Sequence, residues 1–426
     1  MTSATQDRPL NFHALSVLDE GDEVVVGRPD TNMYVVLGPD GAALLDELRS
    51  GRTPDEAAAW YRARFGEPVD MADFVGSLHE LGFVAEAGSV PDQERSVHER
   101  VRWQRLGRAL FSPVGWLAMA VIIAGAVALW VRHPQFAPDP RQLFFTDSLV
   151  VVQFTLIFGQ LPFTLLHETF HVLAGRRLGL PTRLRLSHRL YFVVFETELD
   201  GLVSVPRRSR YLPMLAGLLA DTVIVAGLTI LAYVTGTGSG PSTIGTICLA
   251  LSFGTLLRIT WQFYFFLRTD IYYLIVTVTR CIDLQGTSLM MLRNWGNWLL
   301  GRRHLIIDPG AWHPRDRRVA RWYTPVLVLG SVASVAVLVF TLVPLMIDLM
   351  TSAVQRLFGG QSGGAGHVVD SAVLVGLTLG QLVLAALLAT RNRRARRSPT
   401  TGRHRRAGAG THPHSHRRPG KTRRTQ

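Results

Sequence analysis

Residues His167-Glu168-Thr169-Phe170-His171 place two imidazoles four positions apart, with a carboxylate directly after the first. On a helix the two histidines stack on one face and can reach a single metal ion. Glu168 projects about 100° away, where it can take the proton of an attacking water. That residue set at that spacing is the chemistry of zinc hydrolases, with Zn2+ held by His167 and His171 and with Glu168 as the catalytic base. The run lies inside an apolar stretch, Phe154 to Leu173, long enough to cross a bilayer. Ionisable side chains at that depth are costly, and they mark function by default. The competing reading is a polar pair satisfied inside a helix bundle.

The elements that must hold these residues are membrane helices. Of the 426 residues 47% are hydrophobic, and the mean hydropathy of +0.19 is that of a chain with several spans. Apolar runs predict six, at residues 112–132, 147–175, 211–235, 243–269, 323–347 and 370–390, the fourth with a potential continuation to residue 279. Residues 1–30 are charged and lack a long apolar core, so no cleavable signal peptide is expected. Cys248 and Cys281 are the only cysteines, which excludes a disulfide framework and a thiolate metal site.

The net charge of +13 suggests nucleic acid until it is located. Residues 391–426 hold twelve Arg, one Lys and no acidic residue, so this tail carries the whole excess. Its composition predicts a disordered basic segment lying against anionic lipid headgroups, with nucleic acid or an acidic partner as the alternative and metal capture by its four His as a minor one. Between spans, Arg is concentrated in residues 93–111, 176–210 and 280–322 and sparse in the opposite loops. The positive-inside rule then predicts a multi-pass protein of the cell membrane with both termini cytoplasmic.

Residues 11–90 read as a separate small domain. Glu23 to Val26 and Met33 to Leu37 predict a hairpin around Gly27-Arg28-Pro29-Asp30. Three helices should follow: Gly41 to Leu48 capped by Asp40, a second started by Thr53-Pro54, and a third started by Asp70 and ending near Gly82. Leu44, Leu45, Leu48, Ala57, Trp60, Tyr61, Phe65, Phe74, Leu78 and Leu81 are the expected core. Residues 91–111 read as a linker and juxtamembrane helix, and residues 112–390 as the membrane domain.

Two resemblances add to this. Gly38-Pro39-Asp40-Gly41-Ala42-Ala43-Leu44-Leu45, the Gly51-Arg52-Thr53 turn, and Val69-Asp70-Met71 through Leu78-His79-Glu80-Leu81-Gly82-Phe83-Val84 resemble PqqD-like domains. The resemblance implies a winged-helix α+β domain that binds the leader of a ribosomally made precursor peptide. Such a peptide would add a strand to the hairpin edge and tuck apolar side chains against the third helix. The domain is not strongly basic, which argues against DNA.

From residue 147 to about 300 the chain resembles the site-2 protease family of intramembrane zinc metallopeptidases. The carriers are Leu166-His167-Glu168-Thr169-Phe170-His171 through Gly179, Arg207-Arg208-Ser209-Arg210 with Leu215-Ala216-Gly217-Leu218-Leu219-Ala220-Asp221, and Arg268-Thr269-Asp270-Ile271-Tyr272-Tyr273. The resemblance implies Asp270 as the third zinc ligand. Leu218 stands where the family has Pro and Ile271 where it has Gly, and the Asn and Pro that usually precede the ligand are missing, Gln262 being the nearest amide. Span directions bring His171 and Asp270 to the same, inner side of the bilayer. Asp221 and Arg258 fall near mid-bilayer, where pairing with each other is the plainer account. A zinc ligand, or a partner to a zinc-bound His, is the sharper alternative for Asp221.

The sequence therefore predicts a mainly α, polytopic membrane helix bundle of about six spans with a winged-helix front end. Its expected function is a zinc-dependent intramembrane metalloendopeptidase acting on a peptide held by its leader. The rival is a non-proteolytic membrane protein that binds or exports a modified peptide. A membrane di-iron hydroxylase would need His boxes, which His188, His304 and His313 do not form.

Overall fold

The structure, a computed structural model, describes residues 8–85 and 101–337, except 32, 147, 190, 191, 200 and 237–239, together with scattered residues between 339 and 380. The front domain opens with strands β1 (Ser16–Asp19), β2 (Val24–Arg28) and β3 (Met33–Leu37), an antiparallel sheet in that order. Helices α1 (Pro39–Arg49), α2 (Pro54–Phe65) and α3 (Met71–Glu80) cover one face of it. Thr53 and Glu56 form a reciprocal capping box at α2, and Asp70 accepts the Asp73 N–H at α3, both as expected. Asp40 does not cap α1. Gly38 holds that place with Pro39 as the first helical residue, and the Asp40 carboxylate instead accepts the Tyr61 hydroxyl at 2.8 Å. Burial, with the bond to Asp40, pushes that hydroxyl up to about 12.

Leu44, Leu45, Leu48, Ala57 and Leu78 form the core with Val24, Val26, Met71, Phe83 and Val84. Trp60 and Phe65 lie outside it, because the exposed side of α2 is where Phe65 meets both Trp60 and Tyr61. β1 was absent from the expected hairpin. It is a four-residue edge strand with every second residue exposed, too short to stand out.

The membrane part begins with α4 (Gln104–Leu110) and α5 (Pro113–Arg132), followed by α6 (Leu149–Arg177). A hairpin of β4 (Thr182–Arg189) and β5 (Phe192–Leu199) then leads into α7 (Arg207–Val234) and α8 (Thr243–Trp261). The chain ends its described helices with α9 (Asp270–Thr279), α10 (Leu284–Leu299) and α11 (Pro314–Val337). Five of these, α5, α6, α7, α8 and α11, are long and apolar enough to cross a membrane. The expected sixth span, residues 370–390, lies almost wholly outside the described residues, as does the tail 391–426.

α7 is the centre of the bundle, packing against α5, α6, α8 and α9. The lipid-facing side of α6 carries Phe154, Phe158, Leu161 and Leu165, all exposed, while Phe170, Leu173 and Ala174 pack against Phe111, Ala216 and Ala220. The fourth expected span is cut short. α8 stops at Trp261, and the apolar stretch that follows turns through Arg268 in the left-handed region (φ 61°) before α9 starts. The corner after α9 is closed by Asp316 of α11, whose carboxylate accepts the Ile282 and Asp283 N–H groups at 2.9 Å each.

The front domain docks on this bundle through the β1–β2 turn. Glu20 receives Arg207 at 2.5 Å and Arg210 at 2.8 Å, both from the start of α7. Glu23 receives Arg207 at 3.1 Å and Arg315 at 2.6 Å, and Asp22 receives Arg315 at 3.0 Å.

Candidate metal centre

Four side chains on α6 fall in one stripe: Gln160, Thr164, His167 and His171, spaced four, three and four residues apart. That spacing keeps them on one helix face, and the face is turned to α7 and α8. On α7 the facing residues are Pro213, Gly217 and Asp221, each four apart.

His167 and His171 are 4% and 5% exposed, and their Nε2 atoms lie 3.2 Å apart. Asp270 Oδ2 is 3.3 Å from the first and 3.2 Å from the second. These three atoms make a nearly equilateral triangle. A tetrahedral ion with bonds of about 2.0–2.1 Å has donor–donor edges of about 3.3–3.4 Å, so the triangle has the size of one face of such a site. The three residues form a cluster able to hold a metal ion, as expected from the motif and from Asp270.

The hydrogen bonds behind the cluster fix which ring nitrogens face it. His171 Nδ1 is 2.7 Å from the Pro213 carbonyl, which can only accept, so this nitrogen carries the proton. His167 Nδ1 lies 2.9 Å from Asp221 Oδ2, and Arg258 donates to both oxygens of Asp221 at 2.6–3.1 Å. With Nδ1 engaged in this way, the neutral form of each imidazole presents its Nε2 lone pair toward the Asp270 carboxylate. Lone pairs at this separation repel unless a proton or cation lies among them.

Gly217 leaves the room for one. A Cβ at this position would lie 2.3 Å from His171 Nε2 and 2.4 Å from His167 Nε2, in the space beside both nitrogens. The donor set, its spacing and this opening fit a metal ion.

Asp221 is not a member of the triangle. It sits on the Nδ1 side of His167, one imidazole removed, and the two roles weighed for it, pairing with Arg258 and supporting His167, are both present at once. Arg258 continues the network to Gln160 Oε1 at 3.2 Å and Thr164 Oγ1 at 3.1 Å. Asp221 is fully buried, so this satisfaction on every side is what makes its charge tolerable.

Asp270 is placed by the turn between α8 and α9. Gln262 Oε1 accepts the Asp270 N–H at 3.2 Å, and the Thr269 hydroxyl donates to the Gln262 carbonyl at 2.6 Å. The carboxylate opens the first turn of α9, where the helix dipole favours negative charge.

Glu168 is 7% exposed and is held from the hairpin, with the Thr197 hydroxyl of β5 donating to its Oε2 at 2.6 Å. Sequence reasoning missed Gln160, Thr164, Thr197, Pro213 and Gly217. The first two were signalled by their place seven and three residues before His167. Thr197, Pro213 and Gly217 had no chemical signature, since they act through one hydroxyl, a carbonyl and a missing Cβ.

No protein-family model, no curated protein and no solved structure matches this chain.

Proposed function

We propose that the protein is a multi-pass membrane zinc metallopeptidase, with the chemistry of the site-2 protease family, that cleaves a peptide held at its leader by the front domain. The observation that carries the reading is the triangle of His167 Nε2, His171 Nε2 and Asp270 Oδ2, with Glu168 on the same helical turn. His167, His171 and Asp270 would hold the zinc, which would acidify a water and polarise the scissile carbonyl. Glu168 accepts the proton of the attacking water and returns it to the leaving amine. Thr197 fixes the Glu168 carboxylate for that exchange, and Asp221 and Pro213 keep the imidazoles in the tautomer that offers Nε2. Gln262 aligns the Asp270 backbone in place of the family's Asn.

The front domain supplies binding. Its β3 has one side paired to β2 and no second strand partner among the described residues, the geometry that a leader peptide joins as an added strand beside α3. The Arg distribution between spans supports cytoplasmic termini and cleavage near the inner leaflet.

Metal analysis and proteolysis of the purified full chain test the reading together. The expected wild-type result is about one zinc equivalent and metal-dependent cuts in a pooled peptide library read by mass spectrometry. His167→Ala should lose both, whereas Glu168→Gln should keep the zinc and lose the cuts. Iron in place of zinc, or wild-type cleavage by Glu168→Gln, would refute the assignment, since a two-His, one-carboxylate set also suits Fe(II).

A further inference from the structure

Where α4, α5, α6 and α7 come together, a cavity of about 640 Å³ is lined by Arg108, Arg177, Arg208, Ser112, Ser209 and Pro113, among others. It sits at one end of three spans. Pro113 is the first residue of α5, Arg177 the last of α6, and Arg208 and Ser209 belong to the first turn of α7. That end is a boundary between lipid and water.

Three neighbouring arginines on α6 and α7 are engaged. Arg207 and Arg210 go to Glu20, and Arg176 donates to Thr182 Oγ1 at 2.8 Å and to the Arg102 carbonyl at 3.1 Å. Arg177 and Arg208 point elsewhere, since each step along a helix turns about 100°. Among the described residues, Arg108, Arg177 and Arg208 have no carboxylate partner. Three guanidinium groups around one cavity repel each other unless an anion sits between them, and their planar donors match phosphate oxygens. The Ser112 hydroxyl accepts the Gly115 N–H at 3.2 Å, which leaves its proton to donate.

We propose that this cavity binds the phosphodiester headgroup of an anionic phospholipid. A lipid is favoured over free phosphate by what lies next to the cavity. One residue past Pro113 the apolar face of α5 begins, with Val114 76%, Leu117 65% and Val121 62% exposed at helical spacing, a path for acyl chains beside the headgroup.

The test compares lipid retention by the full chain in mixed phosphatidylcholine and phosphatidylglycerol vesicles, extracted and read by native mass spectrometry. Wild type should retain phosphatidylglycerol in excess of its share. Arg108→Gln, Arg177→Gln and Arg208→Gln should each weaken retention about five-fold, and the triple variant should abolish the preference. A control variant, Arg8→Gln/Arg62→Gln/Arg64→Gln, removes the same charge from exposed positions of the front domain and should leave it intact. Should the triple variant fail to fold, the single Arg208→Gln carries the test. An unchanged preference in the cavity variants, an equal loss in the front-domain control, or displacement of the lipid by inorganic phosphate at equal concentration would overturn the proposal.

Discussion

Gly217 contributes to the metal centre by what it lacks. A methyl group there would stand 2.3–2.4 Å from both Nε2 atoms, inside the contact distance of any ion they share. Elsewhere in a helix, Gly→Ala stabilises by roughly 0.5–1 kcal/mol, because glycine loses more backbone freedom on folding. At Gly217 the clash with the fixed imidazoles outweighs that gain: metal content should fall by about ten-fold or more, and the metal-free protein should also lose about 1–3 kcal/mol to overpacking, read as a lower thermal midpoint. Full metal content in this variant, by elemental analysis, would place the ion away from the His167–His171–Asp270 triangle. The same residue marks a limit of sequence reading. His167 and His171 were legible from their own spacing and Asp270 from the resemblance, whereas Gly217, though inside the quoted Leu215-to-Asp221 stretch, has no side chain to name a role until the partner helix is in place.

At the scale of elements, α6, α7 and α8 are joined by one polar chain: His167 to Asp221 to Arg258, and from there to Gln160 and Thr164. Breaking a buried ion pair from one side costs about 3–5 kcal/mol, because the remaining charge is stranded. Losing a carboxylate behind a metal-bound imidazole costs about 10–100-fold in metal affinity or activity. Asp221→Ala should do both. Adding Arg258→Leu removes the stranded charge, so the double variant should recover most of the stability and none of the metal affinity. Recovery of both would reduce Asp221 to an ion-pair partner. Element boundaries were legible where a cap spoke, as at Thr53 and Asp70, but not at α1, where Gly38 and not Asp40 holds the cap. The break between α8 and α9 was not, since Phe263 to Leu267 is apolar and lacks Gly or Pro, and the turn depends on Gln262 and Thr269 bonding across it. The β4–β5 hairpin was overlooked for another reason. Its alternation, Arg183-Leu184-Arg185-Leu186, was read for charge and not for period two.

For the whole molecule, the docked front domain constrains how the chain threads the membrane. Glu20 and Glu23 touch Arg207 at the start of α7 and Arg315 at the start of α11, so all four must lie on one side. Two candidate spans, α5 and α6, separate residue 23 from residue 207, and two more, α7 and α8, precede residue 315. Both counts are even, which they must be, and they leave the ten-residue α9 as a helix that enters without crossing. A full crossing needs about 20 residues, twice its length. We propose the cytoplasm as that side, because the segments holding Arg207 and Arg315 are the basic ones. Reporter fusions at residues 10, 206 and 308 should accordingly all report the cytoplasm, and a fusion at residue 236 the opposite side. A split between residues 206 and 308 would mean that the segment from α8 to α9 crosses an even number of times. If α8 fails to cross, Asp270 stays on the side opposite His171, and the three-residue centre falls with it.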